Sequence, residues 1–137
     1  MSLVLDCSAT MARAFPEETT SAILEVFEFI ADLGAWVPEL WRIEVANTLN
    51  VGIRRGRINT TTRNDVLADL ESLVISIDAE CHRHTWLRTL ELADLHRLTV
   101  YDATYLELAL RLTLPLATLD RDLRKAAQAE GVALLGI

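Results

Sequence analysis

Pro115-Leu116-Ala117-Thr118-Leu119-Asp120-Arg121-Asp122-Leu123-Arg124-Lys125-Ala126-Ala127-Gln128-Ala129-Glu130-Gly131-Val132-Ala133-Leu134-Leu135 reads as strand, helix, strand. Pro115 to Leu119 is a short, mainly apolar run closed by an acid. Arg121 to Glu130 is helical with Gly131 as its stop, and Val132 to Leu135 is again apolar and short. Two strands joined through a helix form the unit from which parallel sheets are built.

The alternation extends through the chain. Leu3-Val4-Leu5 is a buried strand that feeds a turn at Asp6-Cys7-Ser8 and then a helix. Pro16-Glu17-Glu18 opens a longer helix through about Leu33, since proline suits the first turn and acids complement its positive end; Gly34 stops it. Ala35-Trp36-Val37 is a strand, Glu39 to about Arg55 a helix, and Asn59-Thr60-Thr61 caps another helix to about Leu73. Val74 to Ile77 is a strand, Ala79 to about Leu95 a long helix, and Tyr101 to Leu112 a further one. Residues 1–137 therefore predict a single α/β domain, with a mostly parallel sheet of four to five strands, helices on both faces and right-handed crossovers.

The 137 residues are 51% hydrophobic and 24% charged, with net charge −7, a composition that excludes disorder and a strongly basic nucleic-acid footprint. Lys125 is the only lysine beside twelve arginines, which limits any lysine-dependent chemistry to one candidate. Cys7 and Cys81 cannot form a disulfide framework, Met1 to Leu5 meets Asp6 before a signal-peptide core could form, and Glu25, Glu28 and Asp32 interrupt the longest apolar stretch. A cytoplasmic protein without a membrane span is expected.

Ligands of such sheets bind beyond the carboxyl ends of the strands, where Asp6 and Asp120 leave. Each also suits a helix N-cap. Asp102 lies on the apolar stripe of its helix with Tyr105, Leu106, Ala109 and Leu110, or else complements the helix dipole. Glu44 shares a face with Leu40, Trp41, Asn47, Thr48 and Val51, unless that face is solvated. Four carboxylates converging over one sheet edge would repel unless a cation intervened, and oxygen donors suit Mg²⁺ or Mn²⁺. Ser8 and Thr118 stand two residues from Asp6 and Asp120 as candidates to orient them, and Asp122 is either a further ligand or a first-turn acid. Cys81-His82-Arg83-His84 lacks the second cluster a zinc site needs, and His96 is expected at the surface.

Leu5-Asp6, Ile43-Glu44-Val45-Ala46-Asn47, Tyr101-Asp102-Ala103-Thr104-Tyr105-Leu106-Glu107-Leu108-Ala109 and Ala117-Thr118-Leu119-Asp120-Arg121-Asp122-Leu123, in this order, resemble the PIN domain, and the length resembles that of the single-domain VapC toxins. The resemblance covers essentially the whole chain. It implies an Mg²⁺-dependent endoribonuclease, with Mn²⁺ as a substitute, whose metal carboxylates are Asp6, Glu44, Asp102 and Asp120. It also implies a toxin paired with a cognate antitoxin whose basic segment occupies the acidic groove, and a homodimer, for which Trp36, Trp41, Phe27 and Phe29 offer apolar contacts unless they belong to the core. Where the family often has threonine or serine directly after the first aspartate, this chain has Cys7, which leaves Ser8 as the nearer hydroxyl.

Arg54, Arg55 and Arg57 form a basic stretch suited either to RNA phosphates or to complementing a helix C-terminus. Two rival readings stay on the page. One is a phosphoacceptor domain of receiver or dehalogenase type, which would need a lysine at a strand end. The other is a non-catalytic module that only binds a basic partner.

Overall fold

The computed structural model describes residues 1–137. It contains β1 (Val4–Leu5), α1 (Cys7–Ala14), α2 (Ser21–Leu33), β2 (Ala35–Pro38), α3 (Leu40–Arg54), α4 (Thr60–Glu71), β3 (Ile75–Asp78), α5 (Cys81–His84), α6 (Leu90–His96), α7 (Val100–Leu112), β4 (Leu116–Ala117), α8 (Arg121–Ala129) and β5 (Leu134–Leu135). The five strands form one parallel sheet in the order β3-β2-β1-β4-β5. The α/β architecture and parallel sheet expected from the sequence are present. From β1 the chain builds outward first through β2 and β3, then returns to add β4 and β5 on the other side. The order therefore reverses between β1 and β4, the switch point beyond whose carboxyl ends sheets of this kind place their binding crevice.

Leu3, Val4 and Leu5 are all fully buried, as are Leu116 and Ala117. Successive strand residues point to opposite faces, so burial of consecutive residues means that both faces of the central strands are covered. Gly34 ends α2 at φ 74°, and a Cβ there would stand 2.8 Å from the Val74 carbonyl oxygen, so the entry to β2 demands glycine.

Three expectations need correction. The helix expected from Pro16 to Leu33 is split: Pro16–Glu18 is a 3₁₀ turn and α2 begins only at Ser21. Thr20 caps α2 by accepting from the Ile23 N–H, and the Thr19 hydroxyl donates to the Ala12 carbonyl at 2.7 Å, so the two threonines divert the chain. The long helix expected from Ala79 contains a π turn, Thr85–Thr89, between α5 and α6. His96 is not a free surface residue, because its Nε2 lies 2.9 Å from Glu130 Oε2 with the side chain largely covered.

Of the aromatic residues considered for a subunit contact, Trp41 and Phe27 are buried in the core and Trp36 and Phe29 pack half-buried against it. Trp41 gives its indole N–H to the Thr10 hydroxyl at 3.0 Å. The large apolar side chains left at the surface include Ile43, Val74, Trp86, Leu87 and Tyr101. No helix is long and apolar enough to cross a membrane.

Candidate active site

Asp6 follows β1 and is 3% exposed. Its carboxylate caps α1 by accepting from the Ala9 N–H at 2.9 Å, and it also accepts from the Ser8 hydroxyl at 2.8 Å and the Thr118 hydroxyl at 2.5 Å. Despite these donors its pKa is raised to about 6. Burial is the largest cause, the three hydrogen bonds oppose it, and the charge of Asp102 adds to it.

Asp120 follows β4 and caps α8 through the Leu123 N–H at 2.8 Å, while its own N–H donates to the Thr118 hydroxyl at 3.1 Å. Both strand-end acids are therefore helix caps. Thr118, fully buried, ties the two together: its hydroxyl donates a hydrogen bond to Asp6 and accepts one from the Asp120 backbone N–H. Ser8 reinforces the link by accepting from the Leu119 N–H at 2.9 Å.

Asp102 enters from the first turn of α7 and Glu44 from α3. Asp102 is pushed up to about 6, first by burial and then by the charges of Asp120, Glu44 and Asp122. Burial also raises Glu44, against the effect of the Tyr105 hydroxyl, which donates to its Oε1 at 2.6 Å. The fold thus brings Asp6, Glu44, Asp120 and the exposed Asp122 each within reach of the charge of Asp102. No three His, Cys, Asp or Glu side chains form a closed ligand set for a metal ion.

Cys7 contributes a thiol pushed up to about 12 by burial, 3.8 Å from the Thr48 hydroxyl, and so offers no thiolate at neutral pH. Arg54 lies ten residues beyond Glu44 on α3, about 15 Å along the axis. Arg54 and Arg55 are exposed, whereas Arg57 is ion-paired with Glu17 and Glu18 and stacks over Phe15 at 3.8 Å.

A second acidic group, absent from the sequence reading, gives the contrast that interprets the first. Asp78 and Glu107, both buried, share Arg111, which donates to Asp78 Oδ2 at 2.8 Å and to Glu107 Oε1 at 2.7 Å. This pairing lowers Asp78 to about 2. Its one local trace is the i,i+4 spacing of Glu107 and Arg111. By contrast, none of Asp6, Glu44, Asp102, Asp120 and Asp122 is ion-paired to any arginine, lysine or histidine. An all-oxygen donor set in which Asp6, Glu44 and Asp102 are raised, with no internal counter-charge, fits a hard divalent cation.

Residues 3–129 match the PIN domain family. The chain is 32% identical over 123 residues to Ribonuclease VapC3 of Pyrobaculum aerophilum, covering 90% of this chain and 92% of that protein. Its fold is shared by PAE2754 from Pyrobaculum aerophilum, with a TM-score of 0.67 and 22% identity over 98% of this chain and 89% of that one. FitAcB from Neisseria gonorrhoeae shares it with a TM-score of 0.59 and 19% identity, over 96% and 95% of the two chains. With its parallel sheet, its acids at the β1 and β4 ends and a family match spanning nearly its whole length, the chain belongs to the PIN domain family.

Proposed function

We propose that this chain is a metal-dependent endoribonuclease acting in the cytoplasm as the toxin of a toxin–antitoxin pair. The observation that carries the reading is the acidic crevice without an internal counter-charge, at the switch point of a PIN-domain sheet. Similarity to a protein named as a ribonuclease supports it.

Asp6, Glu44, Asp102 and Asp120 would hold Mg²⁺, or Mn²⁺ in its place, with Asp122 as a further oxygen donor at the rim. When bound, the ion supplies Lewis-acid activation of water and offsets charge on the phosphodiester. The chain's own contribution is position and proton release. Ser8, Thr118 and the Ala9 N–H orient Asp6, the Leu123 N–H holds one oxygen of Asp120, and Tyr105 holds Glu44. Asp6 and Asp102, both raised to about 6, would have to be ionised to hold the ion, so cation affinity is expected to fall as pH drops. Hydrolysis would leave a 5′-phosphate and a 3′-hydroxyl, with no part for the RNA 2′-hydroxyl.

The same crevice suits a basic antitoxin segment, since arginine forks match carboxylates bidentately, and its occupation would block ion and RNA by direct competition. A homodimer belongs to this reading, with exposed Trp86 and Leu87 as large apolar side chains available to it. Arg54 and Arg55 are available as outlying phosphate contacts, more so than the ion-paired Arg57.

The test is cleavage of a mixed structured-RNA pool by the purified chain with Mg²⁺, Mn²⁺ or EDTA, beside Asp102→Asn. Cuts that need both metal and Asp102 are expected. Absence of cleavage together with absence of metal-induced thermal stabilisation would assign the crevice to a non-catalytic binding role.

A further inference from the structure

The depression between α8 and β5 runs against the charge of the molecule. It measures about 590 Å³ and is lined by Arg121, Arg124, Lys125 and Gln128 together with the apolar Val132, Leu134 and Ile137. No Asp or Glu side chain lines it, in a chain of net charge −7, and it contains the only lysine. Arg121, Arg124 and Lys125 stand at i, i+3 and i+4 and so share one face of α8. None of the three is ion-paired, as is also true of Arg13, Arg54, Arg55, Arg63 and Arg97, but these three line one depression together.

This basic face is joined to the acidic crevice by hydrogen bonds. Arg124 donates to the Thr118 carbonyl at 2.6 Å and to the Leu135 carbonyl at 3.0 Å, which fixes its guanidinium at the lip of the depression. The hydroxyl of the same Thr118 holds Asp6, and Asp120 caps the helix that carries all three cations. A strand whose phosphodiester lay over the carboxylates would meet these cations next.

We propose that the α8 face is a binding track for the phosphate backbone of RNA beside the cleaved bond, with Arg121 and Lys125 as phosphate ligands and Arg124 as the anchored charge between them. The inference rests on the ribonuclease reading above. Continuity with the crevice favours RNA over an acidic peptide. Apart from Gln128 the remaining lining is apolar, so the contacts are to charge and not to base edges, and binding here is independent of sequence.

The test uses the full chain carrying Asp102→Asn to prevent cleavage, with a labelled oligouridylate titrated over a series of KCl concentrations in Mg²⁺. Arg121 and Lys125 are exposed and hold no carboxylate, so Arg121→Gln/Lys125→Gln is expected to melt like its parent, while Arg124 is left in place because of its carbonyl bonds. The double variant should bind more weakly and flatten the slope of log affinity against log salt by about 1.4, or about 0.7 for each lost phosphate contact. An oligoadenylate should suffer the same loss. Arg13→Gln, in the last turn of α1, should leave the slope as it was. Binding by the parent with an unchanged slope in the double variant would overturn the track alone. A parent that binds no RNA, from a wild type that cleaves none, would overturn the ribonuclease reading and the track with it. Loss of affinity for polyglutamate with none for RNA would assign the face to an acidic peptide and overturn the proposal.

Discussion

The Tyr105 hydroxyl donates to Glu44 Oε1 across 2.6 Å, joining α7 to α3 over 61 residues of sequence. Tyr105 is 1% exposed and stands one turn after Asp102 on the same helix. One side of α7 therefore presents one acid of the crevice and holds another.

Tyr105→Phe keeps the ring and removes only this donor. Because Glu44 is half-buried, the stability cost is expected near about 1 kcal/mol by urea unfolding. If Glu44 holds the ion as proposed, loss of the group that orients it should also weaken metal binding about 10-fold or more, read from the Mn²⁺ concentration that raises the melting temperature. An unchanged Mn²⁺ titration would reduce Tyr105 to a packing residue.

Thr118→Val retains shape at a fully buried position while leaving Asp6 without one donor and the Asp120 N–H without its acceptor. A loss of about 1–3 kcal/mol is expected, because the Asp120 N–H is left without an acceptor and buried Asp6 keeps only Ser8 and the Ala9 N–H as donors. Cleavage and Mn²⁺ stabilisation should fall together. Full stability in Thr118→Val would show that water replaces the hydroxyl.

Arg111→Met removes the cation shared by Asp78 and Glu107 and strands two buried carboxylates. Breaking such a group costs about 3–5 kcal/mol when fully buried, and the 20% exposure of the Arg111 side chain places the expected loss near about 3 kcal/mol. Arg111→Lys should recover only part of it, since an ammonium cannot reproduce the fork to both acids. Chemical denaturation distinguishes the variants.

In EDTA the two acidic groups pull stability in opposite directions with pH. Asp6 and Asp102 are raised above 3.8 to about 6, so the folded state keeps protons that the unfolded chain releases. Their penalty is absent below about pH 4 and fully present above about pH 6. For buried Asp6 the rise corresponds to about 3 kcal/mol. Asp78 is lowered to about 2, so its stabilising share is present above about pH 4 and is lost as pH falls toward 2. Metal-free protein should therefore melt higher at pH 5 than at pH 7 and lower again below pH 4. Asp102→Asn should remove part of the first slope, and a flat profile between pH 5 and pH 7 would contradict the raised carboxylates.

The order of elements was legible because its signals are local: apolar runs for the strands, Asn59 as a cap, Gly34 and Gly131 as stops. Where the reading of the elements failed, distant partners had intervened. The Thr19 hydroxyl reaches back to Ala12, and His96 meets Glu130. For Trp41 and Phe27 the sequence left subunit contact and core open, and packing places both in the core, which nothing in their own segments shows.

Asp6, Glu44, Asp102 and Asp120 stood out in one dimension as acids at strand ends and on inward helix faces, positions where an ionised group is costly. Tyr105, Arg111 and the bond from Thr118 to Asp6 did not, because each depends on a neighbour far along the chain. Local chemistry was thus enough to specify a parallel α/β sheet and to nominate its acids. Which acids go without a counter-charge was settled only by packing: Asp78 and Glu107 meet Arg111, whereas Asp6 and Asp102 meet hydroxyls and further carboxylates. Burial cost and Coulomb repulsion depend on what surrounds a charge in space, and sequence order does not carry that information.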